Sequence, residues 1–305
     1  MTAAWPPLPL EGWRPTYETL HLWTQMVGKT RLALAPMQNH WWQVALYLTS
    51  RGLGGTPLPY GEHTLDVDFD FIDHRLVVRR SDGVTRTLEL RPTPVADFYA
   101  EYRALLGGLG VDARLRAMPA EIADAIPFDQ DRTHASYDRD AAQRCWLALA
   151  QADRVLRAFR GRFLGKCSPV HFWWGGFDLS CTRFSGRPAP THPGGIPNLA
   201  DWITREAYSH ECISAGWWPG GGALSEAAFY AYAYPEPAGL AQAPVRPEQA
   251  YYHPVLREFI LPYDAVRTAA DPDATLLAFL EATYVAAANG GGWDRASLER
   301  RHDAE

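Results

Sequence analysis

The order of motifs in residues 16–108 comes round again in residues 138–291, and this recurrence limits the fold more than any single segment does. The first stretch runs helix, VGK (27–29), HWW (40–42), LTSRG (48–52) and TLELRPTPVADFYAEYRALLGG (87–108). The second runs helix, LGK (164–166), HFWW (171–174), CTRFSGR (181–187) and EFILPYDAVRTAADPDATLLAFLEATYVAAANGG (258–291). Each reads as a helix, an antiparallel meander and a second, Pro-started helix. The expected fold is α+β: two related helix–antiparallel meander–helix halves packed about a pseudo-two-fold axis. The halves are set at 1–112 and 138–305, with a connector at 113–137, and one compact domain holding both is the alternative. The match needs gaps, and abundant tryptophan leaves coincidence open. A cleft between such halves is a preferred place for a ligand.

Local patterns fill in the elements. Residues 16–28 have helical spacing, with Thr16 as cap and Gly28 as the last helical residue. Residues 42–50 alternate and predict a strand. In 64–71, Leu65, Val67, Phe69 and Phe71 alternate with Asp66, Asp68 and Asp70, a strand with one solvated face. Ser81-Asp82-Gly83 predicts a hairpin between 75–80 and 84–91. Helices are expected at 94–106, at 138–164 behind an Asp138 cap, at 199–207 and at 272–288. Strands are expected at 169–184, broken or bulged at Gly175-Gly176, and at 210–217, 225–234 and 256–261.

Composition excludes several function classes. The 305 residues are 47% hydrophobic and 21% charged, a globular balance. No apolar run approaches the ~18 residues of a spanning helix, so no membrane partner is expected. Net charge is −6 with dispersed basic residues, which argues against a nucleic-acid partner. No basic n-region precedes an apolar stretch at the start, so no signal peptide is read. Cys145, Cys167, Cys181 and Cys212 form no C-x-x-C pair and read as free thiols in a reducing cytoplasm. No P-loop, dinucleotide fingerprint or G-x-S-x-G elbow is present. Oligomeric state is left open.

The residues that carry chemistry are aromatic, imidazole and carboxyl groups. Twelve tryptophans include the doublets Trp41-Trp42, Trp173-Trp174 and Trp217-Trp218. A doublet in a strand sends one indole to each face, so one of each pair is free to wall a pocket. Candidate ligand-binding residues are His40, Trp41, Trp42, Trp173, Trp174, Tyr230 and Tyr232. In FDLSCTRF, alternation puts Asp178, Ser180 and Thr182 on one face and Leu179, Cys181 and Arg183 on the other. Tyr230, Tyr232 and Tyr234 form a similar strip, readable as pocket wall or outer sheet face. Candidate catalytic residues are His171 and His210 as acid/base groups, Asp178 as an orienting group and Arg183 as an anion holder. His21, His40, His171 and His210 are weak metal candidates, because no metal-ligand spacing links them; a divalent metal is the one cofactor considered.

The leading expectation is an enzyme acting on a small-molecule ligand in an aromatic-walled cleft by histidine acid/base or metal chemistry. The alternative is a non-catalytic module for a sugar or a flat aromatic ligand. A third reading is an interaction protein with an exposed aromatic patch.

LHLWTQMVGKTRLAL (20–34), NHWW (39–42), VDFDFIDHRLV (67–77), SPVHFWWGGFDLSCTRFSGR (168–187), YSHECISAGWWPG (208–220) and FYAYAYPEP (229–237) together resemble a bacterial family, the domain of unknown function numbered 5996. The similarity runs from Trp5 to about Glu299. It implies a bacterial, single-module protein and brings no reaction, cofactor or site residue with it.

Overall fold

The computed structural model describes residues 4–300. Residues 1–3 and 301–305, which fall within the expected halves, lie outside the described residues. The chain opens with α1 (Arg14–Leu34), a 3-10 segment at Asn39–Val44 and six strands. These are β1 (Tyr47–Leu48), β2 (Gly52–Gly54), β3 (Leu58–Tyr60), β4 (His63–Asp70), β5 (Arg75–Arg80) and β6 (Thr85–Glu89). Then come α2 (Val95–Gly108), an extended stretch and α3 (Arg139–Gly161). Next are β7 (His171–Trp173), β8 (Asp178–Pro188), α4 (Asp201–Ala207), β9 (His210–Trp218) and β10 (Ala228–Tyr234). β11 (Tyr251–His253), β12 (Glu258–Pro262), α5 (Tyr263–Arg267), α6 (Pro272–Gly290) and α7 (Arg295–Leu298) complete the chain.

The fold is α+β, as expected. The first sheet is ordered β1-β2-β4-β5-β6 with β3 paired to β4, and the second β11-β12-β10-β9-β8-β7. The two meet edge to edge at Leu46 and Phe172, whose amides and carbonyls exchange bonds of 2.9 and 2.8 Å. One apolar core takes side chains from both stretches, from Trp23 and Phe98 to Trp217 and Tyr284.

The motifs aligned in the sequence occupy different local structures. Gly28 does not end α1, which runs on to Leu34. The Trp174 indole lies against Gly28 so closely that a Cβ there would sit 2.2 Å from it. Glycine in mid-helix is thus a packing requirement rather than a stop signal. Gly165-Lys166, by contrast, follows the end of α3. Thr16 is inside α1 and its hydroxyl accepts from the amide of Asp138.

His40 and Trp41 are not in a strand. Both hold left-handed backbone, φ 57° and 63°, in the 3-10 segment, and sheet pairing starts only at Leu46. The expected bulge at Gly175-Gly176 is the turn of a hairpin between β7 and β8. Other signals hold. Asp138 and Asp271 cap α3 and α6 through the amides of Ala141 and Ala274, each worth about 1 kcal/mol. The 81–83 turn joins β5 to β6.

Alternation gives the second sheet two unlike faces. Leu179, Cys181, Arg183, Ile213, Ala215, Trp217, Phe229 and Leu261 are buried, on the side covered by α3 and α6. Asp178, Ser180, Thr182, Ser214, Tyr230, Tyr232 and Glu258 alternate with them and face the other way. That second face is overhung by the 3-10 segment and α4. The Trp41 indole donates to the carbonyl of Ile203 (3.1 Å), and His40 Nδ1 donates to that of Ala207 (2.9 Å).

Candidate functional site

The polar face gathers three carboxyls that lie far apart in sequence. Asp178 opens β8, and its carboxylate accepts from the Tyr230 hydroxyl. Glu121 arrives from the extended stretch before α3. Its amide is held by the carbonyl of Pro197 (2.8 Å), and Gln25 of α1 clasps Ala120 by both amide and carbonyl (2.7 and 2.9 Å). The carboxyl of Glu121 then stands over the Gly175-Gly176 turn. A Cβ on Gly175 would lie 1.9 Å from its Oε1, and a Cβ on Gly176 2.8 Å from Asp178 Oδ1 and 3.9 Å from Glu121 Oε2. The glycine pair therefore makes the room in which the two carboxyls converge. His21 fixes the same turn from below, its Nε2 donating to the Gly175 carbonyl at 2.8 Å.

The third carboxyl, Glu258, starts β12, in line with Tyr232 across the β10–β12 ladder. Tyr232 stacks on Tyr230 (centroids 6.1 Å, 17° between planes), and its hydroxyl pairs with that of Tyr208 at 2.7 Å. Backbone strain sits at this place as well. Glu121 itself has φ 63°, and Phe177, the residue before Asp178, has φ 56°. Left-handed backbone at non-glycine residues persists only where surrounding contacts over-determine it, and it concentrates at functional sites.

Electrostatically the carboxyls are poised between protonated and ionised forms near neutrality. Enclosure by protein raises Glu121 to about 7, and the nearby Asp178 charge adds to the rise. Glu258 goes up to about 7 for the same two reasons. Asp178 rises to about 6 by burial, against which the Tyr230 hydrogen bond works. Yet Asp178, Glu258, Tyr208 and Tyr232 keep part of their surface open, and Glu121 is exposed. The partly open polar face that these groups share is the recess of the second sheet. A separate depression of about 330 Å³ beside the end of α2, walled by Arg103, Leu106 and Leu115, holds none of these groups.

The residues expected from the sequence are distributed over three places. Asp178, Tyr230 and Tyr232 are in the recess. His171 shares the sheet face but is sealed, 1% exposed, among Trp42, Tyr47 and Trp173, with centroids 5.7, 5.5 and 5.0 Å away. Burial, helped by the Arg160 charge, drops its pKa to about 3 and keeps the ring neutral. Neither ring nitrogen has a hydrogen-bond partner among the described residues. Trp173, paired opposite Asp178, donates to Ser180 Oγ at 3.0 Å and packs on His171. Asp178 thus supports Tyr230, not a histidine.

His40 and His210 form a second group at the far end of β8, where His210 pairs with Pro188. The two imidazoles are 5.7 Å apart, and Lys166 donates to His40 Nε2 at 2.6 Å while lying over the Trp42 and Phe184 rings. Arg183 is corrected from anion holder to core group. It faces the helices, stacked 3.4 Å from the Phe159 centroid and donating to the Phe159 carbonyl, so no ligand in the recess can reach it. Trp174 is likewise corrected from pocket wall to core, with its indole N–H on the Val44 carbonyl. Trp41 packs on Trp202 under the overhang. His21, His40, His171 and His210 are not gathered around one point. No three His, Cys, Asp or Glu side chains are placed to hold a metal ion among the described residues.

Glu121, Glu258 and Tyr208 were not singled out in the sequence. Glu121 lies in a stretch without periodicity, and Glu258 joins the site only once β12 is known to lie beside β10.

Fold and site together define a mixed α+β protein whose larger sheet carries a recessed carboxyl–tyrosine cluster. By sequence, the chain belongs to the family of unknown function DUF5996, whose model matches residues 5–300. No curated protein and no solved structure matches it. No helix among the described residues is long and apolar enough to cross a membrane.

Proposed function

We propose that the recess is the active site of an enzyme that carries out acid–base chemistry on a small polar molecule, with Glu121 and Asp178 as the proton-transferring pair. The observation that carries this reading is the convergence of the two carboxyls over Gly176, both poised near pH 6–7. A group whose pKa lies near the working pH is the most effective general acid or base. Glu121, the higher of the two and nearer solvent, gives up or accepts the proton exchanged with bulk water. Asp178, steadied by Tyr230, acts on the substrate. Tyr208 and Tyr232 supply hydroxyls and ring faces for a hydroxylated ligand. No arginine or lysine partners these carboxyls among the described residues, so the substrate is uncharged or cationic rather than anionic. This reading moves the acid–base role from His171, which is sealed and neutral, to the carboxyls. Four free thiols support a reducing cytoplasmic setting, and the family resemblance a bacterial one.

The alternative, a non-catalytic sugar-binding module, draws on the stacked Tyr230 and Tyr232 rings. One experiment separates the two. A library of neutral, cationic and anionic polar metabolites is screened by thermal shift, and the hits are followed by mass spectrometry for product. The enzyme reading expects turnover by the native chain and a fall of about 10²–10⁴-fold in Glu121→Gln, with the ligand-induced shift retained. Binding without product would favour the module. Hits confined to anions would overturn both.

A further inference from the structure

We propose that Cys167 and Cys181 are an oxidisable pair that closes reversibly into a disulfide, giving the chain a thiol modification site beside its larger sheet. All four cysteines are free thiols. Cys167 lies in the short segment between α3 and β7 and bridges antiparallel to Arg183 of β8. Cys181 is two residues before Arg183 on the same strand, so both thiols project to the helix-covered side. Their sulfurs are 3.6 Å apart. A bond of about 2.05 Å requires an approach of roughly 1.5 Å, within reach of a side-chain rotation and a small shift of the loop carrying Cys167.

The two thiols differ in the way an attacking and a resolving cysteine differ. Cys167 is partly open, whereas Cys181 is fully buried. The hydrogen bond with Cys181, and after it the Arg183 and Arg160 charges, hold the Cys167 thiol below its ordinary value. Arg160 is anchored there by donating to the Ser168 carbonyl at 2.7 Å. The same hydrogen bond and burial push Cys181 up. Cys145 and Cys212 are sealed, with burial raising the Cys212 thiol to about 12, so neither competes.

The oxidant is a peroxide. The Cys167 thiolate attacks one oxygen of hydrogen peroxide, the O–O bond breaks, and hydroxide leaves to be protonated to water. The resulting sulfenic acid is attacked at sulfur by Cys181, the S–S bond forms, and the sulfenic oxygen departs as a second water. Two thiols are oxidised and one peroxide is reduced. A dithiol reverses the step.

The test titrates the full chain with hydrogen peroxide, blocks remaining thiols with an alkylating agent and maps peptides by mass spectrometry. Free thiols should fall from four to two, a Cys167–Cys181 linked peptide should appear, and dithiothreitol should restore all four. Cys167→Ser and Cys181→Ser should each abolish the link, and the Cys145→Ser/Cys212→Ser double variant should keep it. Cys167 running to sulfinic acid without a link in the native chain would overturn the proposal. So would thiols left unchanged by peroxide that consumes a cysteine peptide in parallel, or a link containing Cys145 or Cys212. The native-chain map decides even if Cys181→Ser fails to fold.

Discussion

The two sheets use the same device, acids alternating with apolar residues, and treat the acids in opposite ways. On the first sheet and in the turn after β4, Asp68, Asp70 and Asp73 each have an arginine. Asp68 meets Arg79 at 2.6 Å, Asp70 meets Arg51 at 2.6 Å, and Asp73 meets the same Arg51 at 2.9 Å. Burial pushes Asp70 up, but Arg51 and the amides of Ile72 and Asp73 outweigh it and hold the carboxyl below its usual range. On the second sheet Asp178 has a tyrosine, and neither it, Glu121 nor Glu258 has a cationic partner among the described residues. Burial raises Asp68 too, but there Arg79 works against the rise, whereas Glu121, Asp178 and Glu258 have no such cation and go up to about 6–7. Compensated acids stabilise a surface, whereas uncompensated acids in a recess cost stability and hold protons that chemistry can use.

The largest contrast is expected in turnover. Asp178→Asn should lower the rate found for the native chain by about 10²–10⁴-fold, and Asp68→Asn should leave it unchanged. Equal loss in both would break the comparison, because it would mean that position on a strand, not compensation, decides the role.

Next in size is a pair of stability effects with opposite signs. The folded-state pKa of Asp70 is depressed, so its stabilising contribution is present above the unfolded value of about 4 and lost as pH falls through the folded one. Asp70→Asn should therefore destabilise by about 1–3 kcal/mol at pH 7, with the difference shrinking in acid. For Asp178 the folded value is raised to about 6, so ionisation opposes folding. The penalty is absent below about pH 4, grows between about 4 and 6, and is complete above. After allowance for solvent at the recess, Asp178→Asn should stabilise at pH 8 by on the order of 1 kcal/mol, and not at pH 4. Urea unfolding of both variants at pH 4 and pH 8 checks the signs.

Much of this contrast was legible in single strands and little of it between them. The period of two in FDLSCTRF placed Asp178, Ser180 and Thr182 opposite Arg183 correctly, and the same rule gathered Tyr230 and Tyr232 on one face. The α+β class, the 81–83 hairpin and the Asp138 cap followed from equally local rules. What failed was non-local. Gly28 reads as a helix end unless Trp174 is known to lie on it. Arg183 reads as an anion clamp unless Phe159 and Tyr284 are known to stack on it. Glu121 reaches Gly176 only because Gln25 and Pro197 hold its loop from two other elements. His40 and His171 read as equivalents because both precede tryptophans, yet one is in a left-handed turn and the other in a strand.

The smallest expected effect sharpens the comparison from the compensated side. Arg79 is half exposed, at 49% of its side-chain surface, and Asp68 is 27% exposed. Solvent screens such a pair, and ordering two long side chains offsets much of the attraction. Arg79→Met should thus change stability by less than about 1 kcal/mol, and added salt should shrink the difference further. The variant also leaves Asp68 without its partner, which makes it resemble the acids of the recess in charge though not in enclosure. The carboxyl of Asp68 already leans upward through burial against the pull of Arg79, so losing the arginine should raise it further. NMR titration of that carboxyl in both chains reads the shift. A value climbing to that of Asp178 would mean that loss of the cation alone poises an acid near neutrality. A smaller rise would show that enclosure by the overhanging elements is the other half of what distinguishes the second sheet.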